Sequence, residues 1–163
     1  MSSPISEASP VRLAAPLPSR ADVVVIDLED GGGWLVFGSG GSGKSTVLRS
    51  VAASLLLDAT PAEVAVLAFD FASRGLAGLR CVPHVIDVAT GDDLEAVTRH
   101  LVTLDSELAR RRAVLAAANA ESLTAYNERH APIGRIVVLI DGFGGMVDAL
   151  GDTVTIKDMT LTN

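Results

Sequence analysis

One segment of the sequence has the residue types and the spacing of a phosphate-binding loop. Residues 38–45 read GSGGSGKS, which fits the pattern G-x-x-x-x-G-K-[ST] at every fixed position. Glycines let backbone N–H groups approach phosphate oxygens, and the positive end of the following helix adds to their field. In this pattern Lys44 reaches the β- and γ-phosphates of a nucleotide, and the Ser45 hydroxyl ligates Mg²⁺. The residues predicted to bind the nucleotide are Gly38, Ser39, Gly40, Gly41, Ser42, Gly43, Lys44, Ser45 and Thr46.

Two acidic residues that end apolar runs are candidates for the same site. Asp141 follows the run IVVLI at residues 136–140, and we expect it to hold a magnesium-bound water and to accept a hydrogen bond from Ser45. The alternative is an aspartate in an ordinary strand-to-loop turn. Asp70 ends a second run, and it would orient water or support the magnesium, or else cap a turn or a helix. The predicted catalytic residues are therefore Lys44, Asp141 and Asp70, and the predicted metal ligands are Ser45 and Asp141.

The residue after Asp141 makes hydrolysis a weaker inference than binding. Many ATPases with this loop place a glutamate there, as the base that orients the attacking water. This chain has Gly142, which offers no side chain, and the nearest later acid is Asp148, which we expect to lie out of reach.

The composition excludes several classes of protein. The chain has 163 residues, enough for one sizeable core, and 48% of them are hydrophobic, which excludes a disordered polyampholyte. Its 13 Lys and Arg against 20 Asp and Glu give a net charge of −7, which argues against a free-standing, sequence-independent nucleic-acid binder. The single cysteine, Cys81, excludes a disulfide framework and a multi-cysteine zinc site. The longest apolar runs, of about six residues, are far shorter than a membrane span, so we expect a cytoplasmic chain, with a membrane reached only through a longer parent.

Strands and helices must alternate along the chain to position these residues. The predicted strands are residues 21–28, 34–37, 64–71, 84–88 and 135–140, and the predicted helices are residues 44–57, a long helix to about 118, and 122–128. This alternation predicts a mostly parallel α/β sheet flanked by helices. We expect residues 1–20 to be a flexible leader or linker, 21–150 to form the core, and 151–163 to be a tail with an extra strand.

Smaller features are expected to serve the structure. Trp34 is predicted to lie in the core beside the loop, with stacking on adenine as the alternative. His84 is predicted to make a structural hydrogen bond rather than to act in catalysis. Thr90 or Asp92 would cap the long helix, whose leucine stripe from Leu94 to Leu115 would be core. The run Arg110–Arg112 is expected on the solvated face of that helix, and Arg74 and Arg80 are expected at the surface, with action in a neighbouring subunit as the alternative.

Several short motifs together resemble the FtsK/SpoIIIE family of P-loop ATPases over roughly residues 27–150. GSGKST is the generic part. More specific are FDF, the GL pair with a later leucine, VPHV, the stretch LDSELARRR and the pair YN. These lie at residues 41–46, 69–71, 75–79, 82–85, 104–112 and 126–127. Within the family, GLAGL, PHV and LIDGFGG are most similar to the ATPase domains of EccC-type proteins of type VII secretion.

The resemblance implies a P-loop NTPase fold of the RecA/FtsK type that binds ATP and Mg²⁺. The family's fold continues further past the strand that ends at Asp141 than this sequence does, so we expect the chain to be either a fragment or a shortened variant of the domain. It also implies neighbouring ATPase domains, a hexameric ring, secreted WXG100-type partners and a parent chain anchored in a membrane. Some domains of this kind bind nucleotide without evident turnover, so the alternative is a nucleotide-holding docking module. A DNA translocase is a further alternative, but that branch has an acid where this chain has Gly142, and the acidic balance also disfavours DNA.

Overall fold

A parallel three-stranded sheet with helices on both faces forms most of the structure. The computed structural model describes residues 33–151 and the backbone of residues 11–14 and 23–26. The strands are β1 (Val11–Ala14), β2 (Val23–Ile26), β3 (Val64–Asp70), β4 (Val85–Thr90) and β5 (Arg135–Asp141). The helices are α1 (Lys44–Asp58), α2 (Leu94–Ala117), α3 (Leu123–Asn127) and α4 (Phe143–Leu150), with a 3₁₀ helix at Ala77–Cys81.

The order of the main sheet is β4-β3-β5, and both pairings are parallel. This confirms the predicted parallel α/β architecture. In the register of β3 and β5, Asp70 lies opposite Asp141. The two predicted acids therefore end neighbouring strands at the same edge of the sheet, which is where ligands bind in folds of this kind.

β3 is buried on both faces because its alternate side chains enter two different clusters. Val66 and Ala68 pack on one face with Leu55 of α1. Leu67 and Phe69 pack on the other face with residues of α2 and α4, including Met146. A strand covered on both sides needs a nearly continuous apolar run, and residues 64–69 supply one.

Two short strands lie outside this sheet. β1 and β2 pair antiparallel, from Val11 opposite Ile26 to Ala14 opposite Val23. β2 falls inside the predicted strand at residues 21–28. β1 was not predicted, since it falls within the segment that the sequence indicated as a leader. The predicted strand at 151–163 lies outside the described residues, apart from Gly151.

The prediction of a buried strand at residues 34–37 is wrong. These residues form no strand, and their apolar side chains are exposed, with Trp34 at 61% and Phe37 at 85% of full exposure. Trp34 is therefore not a core residue. Within the described part of the chain β5 pairs only with β3, so β5 is an edge strand there. Of its apolar residues only Leu139 is buried, and the others are half-buried.

The long helix starts slightly later than predicted. Asp93, rather than Thr90 or Asp92, caps α2, and its carboxylate accepts a hydrogen bond from Ala96 N at 2.9 Å. The leucine stripe is core only in part, because Leu94 and Leu108 are exposed. None of the described helices is both long enough and apolar enough to cross a membrane.

Candidate functional site

The glycine-rich loop leads directly into the N-terminus of α1. Gly41 and Gly43 have φ angles of 74° and 90°, in the left-handed region that glycine adopts without strain. Gly43 occupies the N-cap position, no side chain caps the helix there, and its first turn has no acidic residue. In the loop, Ser42 N donates to the carbonyl of Ser39 at 3.3 Å, whereas the amides of residues 44–46 donate to no backbone carbonyl of the described residues. These amides and the positive end of the helix dipole are thus available to an anion.

Lys44 folds back over the loop. Its Nζ donates hydrogen bonds to the carbonyl oxygens of Gly38 at 2.8 Å and Ser39 at 2.7 Å. The ammonium therefore lies at the loop, and it could contact a phosphate there only by leaving these two carbonyl oxygens. Thr46, also predicted to bind nucleotide, is exposed, and its Oγ1 accepts a hydrogen bond from Arg49 at 3.1 Å.

Asp141 carries a buried carboxylate oxygen without a partner. The residue is 4% exposed, and Oδ2 makes no hydrogen bond with any described residue. A buried carboxylate is costly unless hydrogen bonds or a cation compensate it. A Cβ built on Gly75 would lie 3.5 Å from Asp141 Oδ2 and 3.6 Å from Ser45 Oγ, so the hydroxyl and the carboxylate oxygen border the same small space.

This pair of groups fits Mg²⁺. Among the described residues, no group of three or more His, Cys, Asp and Glu side chains is placed to hold a metal. Mg²⁺ does not need such a group, since it is commonly held by one or two carboxylates, phosphate oxygens and water. Ser45 and Asp141 would hold it in this chain, with the nucleotide phosphates beside them.

Both carboxylate oxygens of Asp70 accept hydrogen bonds from the loop that follows it. It is 3% exposed, its Oδ2 accepts a hydrogen bond from Leu76 N at 2.9 Å, and its Oδ1 accepts one from Ala72 N at 3.2 Å. This is the turn-capping geometry that was the alternative to a catalytic role. Asp70 also lines a polar pocket at the ends of β3 and β4 that includes Arg74, Thr90 and Asp92.

Gly142 has a structural reason to be glycine. Its φ is 78°, and a Cβ built on it would lie 2.8 Å from the carbonyl carbon of Phe71 and 3.0 Å from Ala72 N. The backbone after β3 crosses so closely that residue 142 has no room for a side chain. From the sequence alone, only the lack of an acidic side chain at position 142 could be recognised. The close approach of the backbone at residues 71–72, which explains that lack, could not.

The remaining polar residues serve the structure. His84 Nε2 donates to the carbonyl of Ala59 at 2.7 Å, the hydrogen bond expected of it. Arg80 donates to the carbonyl of Val88 at 2.6 Å, and Arg74 pairs with Asp92 at 2.7 Å on the surface.

On α2, the basic run is tied to an acid of the same helix. Arg110 and Arg111 form ion pairs with Glu107 at 2.7 and 2.6 Å. Their hydrogen bonds, that of Arg110 first, lower the pKa of Glu107 from 4.5 to about 2. Arg110 and Arg112 are exposed, as expected, whereas Arg111 is half-buried, with 18% of its side chain exposed.

Comparison with known proteins identifies the fold and the relatives. Residues 5–154 match the sequence model of the FtsK/SpoIIIE family. The ESX secretion system protein EccC of Thermomonospora curvata is 33% identical over 143 residues, which are 87% of this chain and 11% of that protein. The chain therefore spans only about a tenth of the length of this relative.

Solved structures of related ATPases have the same fold. The cytoplasmic domain of EssC superposes with a TM-score of 0.76 at 26% identity, over 88% of this chain and 28% of the other. A structure of ATPases 2 and 3 of the Thermomonospora curvata EccC, in complex with a signal sequence peptide, superposes with a TM-score of 0.72 at 29% identity, over 85% of this chain and 27% of the other. The family match covers most of the sequence, and the chain belongs to the FtsK/SpoIIIE family, as an ATPase domain related to the type VII secretion proteins EccC and EssC.

Proposed function

We propose that this chain binds ATP together with Mg²⁺ and that this binding is coupled to type VII protein secretion. The observation that carries the proposal is the arrangement of the glycine-rich loop, the uncapped start of α1, and the unpartnered Oδ2 of Asp141 beside Ser45. Backbone amides that could bind phosphate and a carboxylate oxygen that could bind a cation thus lie close together at the carboxyl edge of the sheet.

Each residue of the site has a defined task in this proposal. The amides of residues 41–45 cradle the phosphates, and Lys44 places its ammonium on the β- and γ-phosphates. Ser45 and Asp141 hold Mg²⁺, which neutralises charge on the phosphates when bound. Asp70 keeps the neighbouring loop in place through the hydrogen bonds that its carboxylate accepts from two backbone amides.

The role in secretion rests on the relatives. EccC and EssC are named as secretion proteins, and the solved EccC structure contains a second ATPase domain and a signal sequence peptide. By this likeness we propose that the chain acts in the cytoplasm beside other ATPase domains, in a ring, and that it serves the export of WXG100-type proteins.

A second candidate function is a docking module that holds nucleotide without turning it over. The conformation of Gly142 favours it, because no side chain fits at the position where many ATPases with this loop carry the acid that orients water. If the chain hydrolyses ATP, the water-orienting group must come from another residue or a neighbouring subunit.

Phosphate release over many equivalents of ATP tests both candidates. We expect the chain alone to release phosphate slowly, and Lys44→Ala to abolish that release. Rapid steady turnover by the isolated wild-type chain would contradict the docking module and would require a base that the described residues do not place at the site.

A further inference from the structure

Gly75 lies directly against the two groups proposed to hold Mg²⁺. A Cβ atom built on it would lie 3.2 Å from Ser45 Cβ, 3.6 Å from Ser45 Oγ and 3.5 Å from Asp141 Oδ2. The space where a side chain would begin is therefore the space that borders the hydroxyl and the unpartnered carboxylate oxygen. A glycine leaves that space open.

The loop that carries Gly75 is anchored on both sides. At its start, Phe71 N donates to the carbonyl of Asp141 at 2.8 Å. At its end, Leu76 is fully buried in the core, and its N–H donates to Asp70 Oδ2 at 2.9 Å. With both ends held, Gly75 cannot move away from the site without breaking buried contacts.

We propose that Gly75 is a positioning residue for Mg²⁺, because its missing side chain keeps room between Ser45 and Asp141 for the metal and its water. This inference rests on the proposed function. Mg²⁺ demands near-ideal octahedral geometry and usually keeps several waters, so it needs free volume around its protein ligands. A methyl group at position 75 would occupy that volume or displace the Ser45 side chain.

The substitution Gly75→Ala isolates this effect. The φ of Gly75 lies outside the left-handed region, so alanine adds a methyl group without backbone strain. Gly78, in the 3₁₀ helix that follows, is the matched control, because a Cβ there would meet no atom within 4 Å. The two variants add the same methyl group three residues apart, and only one of them adds it at the site.

The readout is the affinity for a fluorescent ATP analogue, measured with Mg²⁺ and again with EDTA. We expect Gly75→Ala to weaken binding about tenfold in Mg²⁺, the usual scale of overpacking, and to leave metal-free binding unchanged. Gly78→Ala should match the wild type in both conditions.

The possible results separate the inference from the proposed function. Unchanged affinity of Gly75→Ala in Mg²⁺ overturns the role of Gly75, and so does an equal loss with and without the metal, which would indicate general damage to the loop. A wild-type chain that binds no nucleotide in either condition overturns the proposed function itself, and this inference with it.

A second measurement uses the wild-type chain and does not depend on the folding of a variant. Mn²⁺, a paramagnetic substitute for Mg²⁺, is added with a non-hydrolysable ATP analogue to protein labelled with ¹⁵N-glycine. We expect the amide signal of Gly75 to broaden more strongly than that of Gly78. Broadening of Gly41 and Gly43 that spares Gly75 would overturn the inference.

Discussion

Gly142 is the residue that most restricts the chemistry of the site. Its left-handed φ of 78° and the close approach of the Phe71–Ala72 backbone both exclude a side chain. An acid introduced there could not point at a γ-phosphate unless the end of β3 moved. The absence of a water-orienting acid after Asp141 is therefore built into the local backbone.

Alanine substitutions two residues apart test this explanation. Gly142→Ala combines left-handed strain with a backbone clash and should lower the free energy of unfolding by about 3 kcal/mol. Gly144, in α4, has no atom within 4 Å of a built Cβ, so Gly144→Ala should raise stability by up to about 1 kcal/mol. Urea denaturation measures both. Equal effects of the two variants would contradict the account of Gly142.

Asp70 offers a second test at the scale of a single residue. Asp70→Ala leaves the buried amide of Leu76 and that of Ala72 without their acceptor, so stability should fall by about 3 kcal/mol. Asp70→Asn keeps one carbonyl oxygen and should recover part of that loss. If Asp70→Ala keeps full stability but no longer binds nucleotide, Asp70 acts on the ligand rather than on the turn.

At the scale of the elements, most helices and strands follow from local patterns. α1, β3, β4 and β5 begin and end within about two residues of their predicted limits, since each is a periodic or apolar run between residues that break it. α4 was not predicted, because glycines at positions 142, 144 and 145 disfavour a helix. Its formation depends on tertiary packing, in which Met146 is buried in the cluster of Leu67 and Phe69.

The ion pairs of α2 give this helix a pH dependence. The pKa of Glu107 is lowered from 4.5 to about 2, first by its hydrogen bond with Arg110 and then by that with Arg111. A lowered acid pKa contributes stability that is complete above pH 4.5 and is lost as pH falls towards about 2.

Glu107→Gln should remove this contribution. The wild type should be more stable than the variant above pH 4.5, by less than about 1 kcal/mol because Arg110 is exposed. That difference should vanish near pH 2 and shrink in high salt. Urea unfolding across this pH range measures it. A difference that stays constant with pH would mean that the ion pairs do not stabilise α2.

Only those residues of the candidate site that belong to a recognisable sequence motif could be predicted from the sequence. The loop at 38–45 and the acids that end β3 and β5 were recognisable because their chemistry needs those residues at that spacing. Gly75 lies close to both Ser45 and Asp141, although the three residues belong to segments far apart in the chain. A sequence does not show which backbone crosses which, so this contact could not be predicted.

At the scale of the whole molecule, the exposed run at residues 34–37 is the main departure from expectation, and nothing in the sequence indicated the open side of β5. A short apolar run forms a strand only where a neighbouring strand supplies backbone hydrogen bonds. Among the described residues, no strand pairs with the outer edge of β5. The sequence indicated that both segments are apolar, but apolarity does not decide which strand lies at an edge.

Trp34, the single tryptophan, reports on this arrangement directly. At 61% exposure it should emit at the wavelength of tryptophan in water and should be quenched efficiently by acrylamide. Trp34→Phe provides the blank for the weak emission of the other aromatic residues. Blue-shifted emission protected from acrylamide would show that residues 34–37 are buried in solution.

The central claim is that the glycine-rich loop binds ATP with Mg²⁺, and a calorimetric titration of the purified chain with Mg²⁺-ATP tests it most directly. The matched variant is Lys44→Ala, which removes the ammonium group that donates hydrogen bonds to the carbonyls of Gly38 and Ser39 in this structure. We predict saturable one-to-one binding by the wild type, weakened by at least about tenfold in the variant, because a charged contact to phosphate is lost. No heat of binding in the wild type, or equal affinity in the variant, would contradict the account.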